Sequence, residues 1–413
     1  MPLVPKISPA VREEECLKAK AWLQHLADSC RQSDVEDAPA IGLIQSLLAE
    51  TDDSMPPTAL KLMGNEAPLR EQRLDDTTLR VLITPLSSVP LFKKLELSYN
   101  KIGDDGVMEL AQFLTEDKFL ETIILKSNNI ASDGGSALAH ALTLNDHVKE
   151  LDLSNNDIGK GGGMDLASML QLNTTLRTLN LSGCSLTLDP LIALATVLRN
   201  NATITVLDLS DNASPTSSAT QSLQNAFTSH WSRTLRVNST LRELRLRKMG
   251  LTDWGVVDDF ASAVGANKGL RVLDLSGNKI TQDGSCKLFM ELRQQPYLRS
   301  LFLSSCKIQD QGAEECRKML MSNTVLKKLT IDNNGITSVG LKAIAQAFQQ
   351  NTTLQSLKLW GNQWDSSACE VYNALQTSNG DKNSKPRFSA SDLDVAFYTV
   401  SGVMHVAHQD SDK

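Results

Sequence analysis

The sequence predicts an α/β solenoid with parallel strands on a concave face and helices on a convex one. Three observations predict it: a short apolar pattern returns about every 28 residues, each return alternates apolar and polar positions, and a helical period follows each one. The pattern is L-x-x-L-x-L-x-x-N-x-L, with other apolar residues allowed at the L positions and Cys at the N position. It starts at Phe92, Leu120, Val148, Leu176 and Ile204, at intervals of 28. It starts again at Leu241, Leu270, Leu298, Leu326 and Leu354, after intervals of 37, 29, 28, 28 and 28. Ten units in near-constant register make a repeat array, and a degenerate eleventh precedes them around Leu60, Leu62 and Asn65.

Each position has a physical task. Leucines at the fourth and sixth positions alternate with polar residues, as in a strand with one buried face. The ninth position holds Asn100, Asn128, Asn156, Asn212, Asn278, Asn334 and Asn362, whose amides can bond the turn and the neighbouring coil as a ladder. Cys184 and Cys306 share that slot and read as buried structural thiols, while Met249 is the one occupant that cannot join. This is the pattern of a leucine-rich repeat. In the second half of the unit, Gly recurs at Gly106, Gly134, Gly162, Gly255, Gly284, Gly312 and Gly340, with Asp or Ser nearby, which suggests turn and N-cap chemistry. Apolar residues then fall at helical spacing, as in 107–114 and 341–348. Strands stack about 4.8 Å apart and helices about 8–10 Å, so such a stack curves into a horseshoe with the strands inside. A 28-residue unit with a full helix fits the ribonuclease-inhibitor-like class, although ribonuclease inhibitors themselves are far richer in cysteine.

Composition agrees. Hydrophobic residues make up 41% and aromatics only 5%, so the core is aliphatic. A net charge of −7 gives no global attraction to nucleic acid or to an anionic membrane. Seven scattered cysteines without a CxxC pair suggest reduced thiols, and neither a secretory h-region nor a membrane-length apolar run is seen, which predicts a soluble intracellular protein. Five Asn-x-Ser/Thr matches occur at Asn173, Asn201, Asn212, Asn238 and Asn351. All but Asn212 sit three residues before a repeat start, where Asn is expected to close a helix in the left-handed conformation.

An open solenoid exposes its core at both ends, so caps are expected. Residues 1–55 carry two amphipathic helices for an N-terminal helical cap, and 56–378 hold the repeats. Residues 379–413 form a polar linker and a tail that alternates around Ser401-Gly402 like a hairpin, lying against the last repeat. The insertion in the fifth unit is the polar stretch 213–221.

Several stretches go beyond the repeat consensus: Ala193-Leu194-Ala195-Thr196-Val197-Leu198, Trp360-Gly361-Asn362, and the tail with Asp394, Val395, Gly402 and Ala407. From about Asn65 to Ala407 the chain resembles a ribonuclease-inhibitor-like leucine-rich-repeat family associated with germ cells, pluripotent stem cells and the nucleolus. The resemblance implies a nucleolar and cytoplasmic factor bearing on ribosome biogenesis, with nucleolar chaperones carrying acidic tracts among its partners. It implies no catalytic residue, cofactor or metal ligand.

Candidate binding residues follow from the strand pattern. The fifth and seventh template positions are expected on the concave solvent face. Most are small and polar, but Arg245, Arg247 and Lys248 cluster on one unit, flanked by Asp152, Asp208, Asp211 and Asp274, and Phe302 and Trp360 lie toward the C-terminal end. Exposed aromatics and Arg are the side chains that anchor protein interfaces. Two readings stand side by side: these residues bind a partner, or the arginines pair with neighbouring acids and the tail covers Trp360. No enzyme is expected. Gly159-Lys160-Gly161-Gly162-Gly163 lacks phosphate-loop spacing, and the six histidines have no partners at metal-ligand spacing. The function expected is a protein-protein interaction scaffold without small-molecule substrate, nucleic acid or membrane. The alternatives are a regulator of a small GTPase, of the Ran-activating kind but without its long acidic tail, and a structural component of cilia or axonemes.

Overall fold

A computed structural model describes residues 9–33, 39–49, 58–67, 69–212, 221–377, 387–389 and 391–409. Residues 213–220 of the insertion and all of the linker 378–386 lie outside the described residues. The chain packs as two units, Met1–Val197 and Leu198–Lys413.

In the first unit, helices α1 (Pro9–Ser33) and α2 (Pro39–Ala49) precede strand β1 (Ala59–Lys61). Helix and strand then alternate as α3 (Asp76–Ser88), β2 (Lys94–Glu96), α4 (Asp104–Leu114), β3 (Thr122–Ile124), α5 (Ser132–Leu144), β4 (Glu150–Asp152), α6 (Gly159–Met169), β5 (Thr178–Asn180) and α7 (Leu188–Leu198). Each strand from β1 to β5 pairs in parallel with the next. Leu95, Ile123, Leu151 and Leu179 stand in register and are fully buried, each contributing roughly 1.5–3 kcal/mol by leaving water. At the N-terminal end α1 packs on α3, and the Trp22 ring meets Phe92 edge-on at 5.3 Å. The degenerate unit is real as a strand, with Leu60 and Leu62 buried, but Asn65 is exposed.

The second unit runs β6 (Val206–Asp208), α8 (Gln221–Val237), β7 (Glu243–Arg245), α9 (Asp253–Gly255), a π-helical turn (Val256–Phe260), α10 (Ala261–Ala266), β8 (Val272–Asp274) and α11 (Gln282–Leu292). It continues with β9 (Ser300–Phe302), α12 (Gln309–Ser322), β10 (Lys328–Thr330), α13 (Ser338–Ala347), β11 (Ser356–Lys358) and α14 (Ser366–Gln376). Strands β6 to β11 again pair in parallel, each with the next. The repeat starting at Leu241 is 29 residues long, and its extra residue is absorbed by the π turn, which lets the flanking coils keep register. Each unit is thus an α/β leucine-rich-repeat solenoid, with a parallel strand layer and a helical layer.

The asparagine ladder forms as expected. Asn128 Nδ2 donates to Leu97 O of the preceding coil and Leu125 O of its own, both at 2.9 Å, while its Oδ1 accepts the Ile102 N–H at 3.1 Å. Cys184 Sγ donates to Leu153 O at 3.1 Å in the equivalent place. Burial pushes the Cys306 thiol up to about 12, which keeps it protonated. The residue before the slot has positive φ in all ten regular units, from 50° at Lys248 to 74° at Gly361, with Gly only at Gly183, Gly277 and Gly361.

Three expectations change. The recurrent glycines neither turn the chain nor cap a helix. They lie in the first helical turn, where a Cβ on Gly106 would come within 2.5 Å of Asp76 Oδ1 in the preceding coil. Those aspartates cap the following helix instead: Asp104 Oδ1 accepts the Ala131 N–H at 2.7 Å and Asp310 Oδ1 accepts that of Thr337 at 2.8 Å. The asparagines before the repeat starts are not left-handed. Helix-closing Asn145 and Asn323 are extended, and Asn173, Asn238 and Asn351 are buried, which removes them as glycan acceptors. They build a second ladder: Asn173 Nδ2 donates to Leu142 O at 2.7 Å and Asn145 O at 3.2 Å, and its Oδ1 accepts the Leu176 N–H at 2.8 Å. Lastly, several seventh-position serines turn away from solvent, and Ser98, Ser154, Ser210 and Ser276 are buried.

The tail seals the last coil. β12 (Val395–Val400) and β13 (Val403–His408) pair antiparallel, joined by Ser401 (φ 50°) and Gly402 (φ 83°), the two positive angles of a type I′ turn. Arg387 Nε donates to Asn351 O at 3.1 Å, taking the place that another coil's asparagine would fill.

Candidate interaction surface

Strand register sets which side chains meet. Asp208, Arg245, Asp274, Phe302, Thr330 and Lys358 stand on consecutive strands in one row across the solvent face of the sheet. The seventh-position row beside it carries Arg247, Asp332 and Trp360 among serines. Small serines leave room there: Ser210 Oγ accepts the Arg247 main-chain N–H at 3.1 Å and Ser304 Oγ donates to Asp332 at 2.6 Å, so the floor stays low. The result is a cleft of about 800 Å³ in the second unit, whose lining includes Arg245, Arg247, Phe302 and Trp360. Lys248 is not in its wall. That residue occupies the left-handed turn position, and its ammonium lies 3.6 Å from Asp211.

The arginines do meet neighbouring acids. Arg245 pairs with Glu243 and stands 3.6 Å from Asp208, and Arg247 stands 3.7 Å from Asp274. The contacts with Asp208 and Asp274 are ion pairs beyond hydrogen-bond length, and the arginine side chains are 44% and 54% exposed. Pairs of this kind are worth about 0–1 kcal/mol, so a partner carboxylate can compete with Asp274 for Arg247 and with Asp208 for the edge of Arg245 not taken by Glu243. Asp208 and Asp274 are also held in place, accepting the Ser210 and Ser276 N–H groups at 2.9 Å.

Both aromatics are half-buried, which leaves ring surface facing the cleft. Trp360 has the tail beside it: its ring lies 5.2 Å from that of His408 on β13, tilted by 41°, and its main-chain N–H donates to Asp394. Trp360 therefore meets the tail, as one of the two sequence readings expects, and also lines the cleft. The placement of Arg245, Arg247, Phe302 and Trp360 on this face was visible in the strand pattern. The contribution of His408, Gln409 and Asp394 to the wall was not, because it depends on where the hairpin docks.

Elsewhere, the glycine run at 159–163 opens α6, and the Gly162 N–H is bonded by Ser132 Oγ at 3.0 Å, so these glycines serve coil packing. Among the described residues no group of three or more His, Cys, Asp or Glu converges as a metal site, and no helix is long and apolar enough to cross a membrane.

The model of the Leucine Rich repeat family matches residues 90–111, 117–139, 144–167, 172–195, 266–284, 294–315 and 322–345. A comparison with curated proteins gives no match. Among solved structures, the leiomodin-1 actin-binding site 2 is similar at 23% identity over 35% of this chain and 80% of that one, with a TM-score of 0.31. The matched segments fall on the strand–helix coils of both units, and the chain is a leucine-rich-repeat protein.

Proposed function

We propose that this protein is a non-enzymatic scaffold that binds other proteins through the strand-face cleft of its second unit. The observation that carries this reading is the convergence of Arg245, Arg247, Phe302 and Trp360 on one concavity. Leucine-rich-repeat proteins generally bind proteins and typically lack enzymatic activity, and two half-exposed aromatics beside weakly paired arginines are the chemistry of an interface anchor. The resemblance of the non-repeat stretches to leucine-rich repeat-containing protein 34 supports the finer proposal. On that reading the protein acts in nucleolus and cytoplasm, is linked to stem-cell or germ-cell pluripotency and ribosome biogenesis, and has nucleolar chaperones with acidic tracts as partners. It is organised as an N-terminal cap at 1–55, repeats at 56–378 and a tail at 379–413.

The test is affinity purification from native tissue with wild type and with Arg245→Ala/Arg247→Ala, after both have been shown to melt alike. Loss of a common set of proteins from the folded variant supports the cleft. Equal recovery moves the working surface elsewhere.

A further inference from the structure

Directly after each repeat start stands a second-position residue, and in the second unit four successive ones carry the same charge. The row reads Thr205, Arg242, Arg271, Arg299, Lys327, Gln355. Main-chain bonds connect its members: Arg271 N–H donates to Arg242 O at 2.7 Å, Arg299 N–H to Arg271 O at 2.8 Å, and Lys327 N–H to Arg299 O at 2.8 Å. Four cations therefore sit on consecutive coils, about 4.8 Å apart, over about 14 Å. Among the described residues, none of the four has a carboxylate at ion-pair distance, unlike Arg245 and Arg247 next to them. Three of the side chains lean on neutral oxygens instead. Arg242 and Arg271 both donate Nη1 to Gly269 O at 2.7 Å, which draws two guanidinium groups to one carbonyl. Lys327 reaches the equivalent Thr353 O at 3.3 Å, and the Arg271 guanidinium lies 4.9 Å from the Tyr297 ring. Burial, then the charges of Arg242 and Arg299, lower the Arg271 pKa, a sign that the row repels itself.

The first unit supplies an internal contrast. Its row has the same main-chain bonding but reads Lys93, Glu121, Lys149, Arg177. There the Glu121 carboxylate takes Lys93 at 3.0 Å and Lys149 at 2.6 Å, so one acid neutralises two bases. Folding is served by the mixed row, in which an acid stands between two bases. The uniform one adds self-repulsion in a chain whose net charge is −7 and which has carboxylates to spare.

We infer that Arg242, Arg271, Arg299 and Lys327 form a rail for an extended acidic polypeptide segment. A rail of about 14 Å matches four to five extended residues at about 3.3 Å each. Guanidinium forks donate to carboxylates in bidentate fashion, and three of the four cations are held in place by carbonyls, which lowers the ordering cost of binding. A nucleic acid fits less well. It spreads its charge along its whole length against a net-negative protein, and Tyr297 is a single aromatic where single strands need a stacking platform. The rail borders the cleft and shares no anchor with it, so it does not rest on that proposal.

The probe is a fluorescently labelled hexaglutamate peptide titrated with the full chain at low ionic strength. Binding that weakens several-fold as salt is raised to physiological strength is expected. Changing all four cations to Gln should weaken it about tenfold or more. Arg299→Glu alone, at an exposed position that gives up no side-chain hydrogen bond, keeps the fold intact and should also weaken it several-fold. Arg245→Ala/Arg247→Ala should leave hexaglutamate affinity within about twofold of wild type. The rail is overturned if wild type does not bind the peptide, if Arg299→Glu binds as wild type does, if the cleft variant loses as much as the rail variants, or if single-stranded RNA of similar length binds more tightly than hexaglutamate.

Discussion

The carboxylate of Asp394 accepts the main-chain N–H of Leu359 at 2.6 Å, and its second oxygen accepts that of Trp360 at 3.1 Å. Both N–H groups belong to the last strand coil, and at the Leu359 position another coil would have supplied a backbone carbonyl, as Lys358 O does for Ile331. The tail supplies Asp392 O to Leu357 at 2.8 Å and the Asp394 side chain to Leu359 and Trp360. Asp394→Ala leaves a buried N–H unpaired, so a loss of about 1–3 kcal/mol is expected in chemical denaturation. Hydrogen exchange at Leu359 should accelerate with it, and an unchanged rate would show that water replaces the carboxylate at no cost.

Two aspartates of the same cap titrate in opposite directions. Asp365 caps α14, accepting the Ala368 N–H at 2.8 Å and the Ser367 hydroxyl at 2.7 Å, and these bonds hold its pKa down to about 2. Its folded value is below its unfolded one, so its contribution is present above about pH 4 and is lost as pH falls toward 2. Burial raises the Asp394 pKa, so the folded state binds that proton more readily and stability declines as pH rises above about 4 through its folded value. Melting temperature followed against pH should therefore flatten at the acid end in Asp365→Asn. In Asp394→Asn the decline above pH 4 should diminish. The same profile in both variants would contradict this assignment.

The second asparagine ladder gives a sharper stability test than the first. Asn173 is buried and binds two carbonyls of the preceding coil and two N–H groups of its own turn. Asn173→Ala deletes all four partners at once, and a loss of about 2–4 kcal/mol is expected. A surface Asn of the same sequon would cost almost nothing, so a change below about 0.5 kcal/mol would return Asn173 to the surface.

Why the first ladder was legible and the second was misread is a matter of local against nonlocal bonding. The slot at Asn100 or Asn128 repeats in phase with the leucines, so its role follows from period alone. Asn173 and Asn238 also repeat in phase, yet a helix end admits both a left-handed closure and a carboxamide bridge, and only the neighbouring coil's carbonyls decide between them. Gly106 and Gly284 were misassigned for the same reason, since what excludes a Cβ there is the preceding coil's aspartate. The cleft was legible in Arg245, Arg247 and Phe302, because strand register is fixed by the leucine phase. The hairpin's place against the last repeat was legible too, but not that Asp394, His408 and Gln409 form the wall, since the exact docking is not written in its alternation.

Lys248 separates conformational cost from binding. With φ at 50°, it occupies a left-handed turn that Gly183, Gly277 and Gly361 fill at the same template position. Lys248→Gly should raise stability by a few tenths up to about 1 kcal/mol. Because Lys248 is outside the cleft wall and pairs with Asp211, partner affinity should stay within about twofold. A large affinity loss with normal stability would show Lys248 to be a binding residue, as the sequence pattern suggests.

The cleft anchors differ in what their removal disturbs. Trp360 holds the hairpin through the His408 ring as well as facing the cleft, so Trp360→Ala should lower stability and affinity together. Phe302 stands on β9 between Asp274 and Thr330 without a tail contact of that kind, so Phe302→Ala should weaken partner binding by about 2 kcal/mol with little change in melting temperature. Arg245→Ala with Arg247→Ala acts through charge. Its loss should appear mainly in the association rate and shrink as salt is raised, because exposed charges steer encounter more than they hold a complex. Surface plasmon resonance with the purified partner separates these cases. A Phe302→Ala variant that binds as wild type does, beside a Trp360→Ala variant that loses binding only in proportion to its unfolding, would move the contact off the strand face.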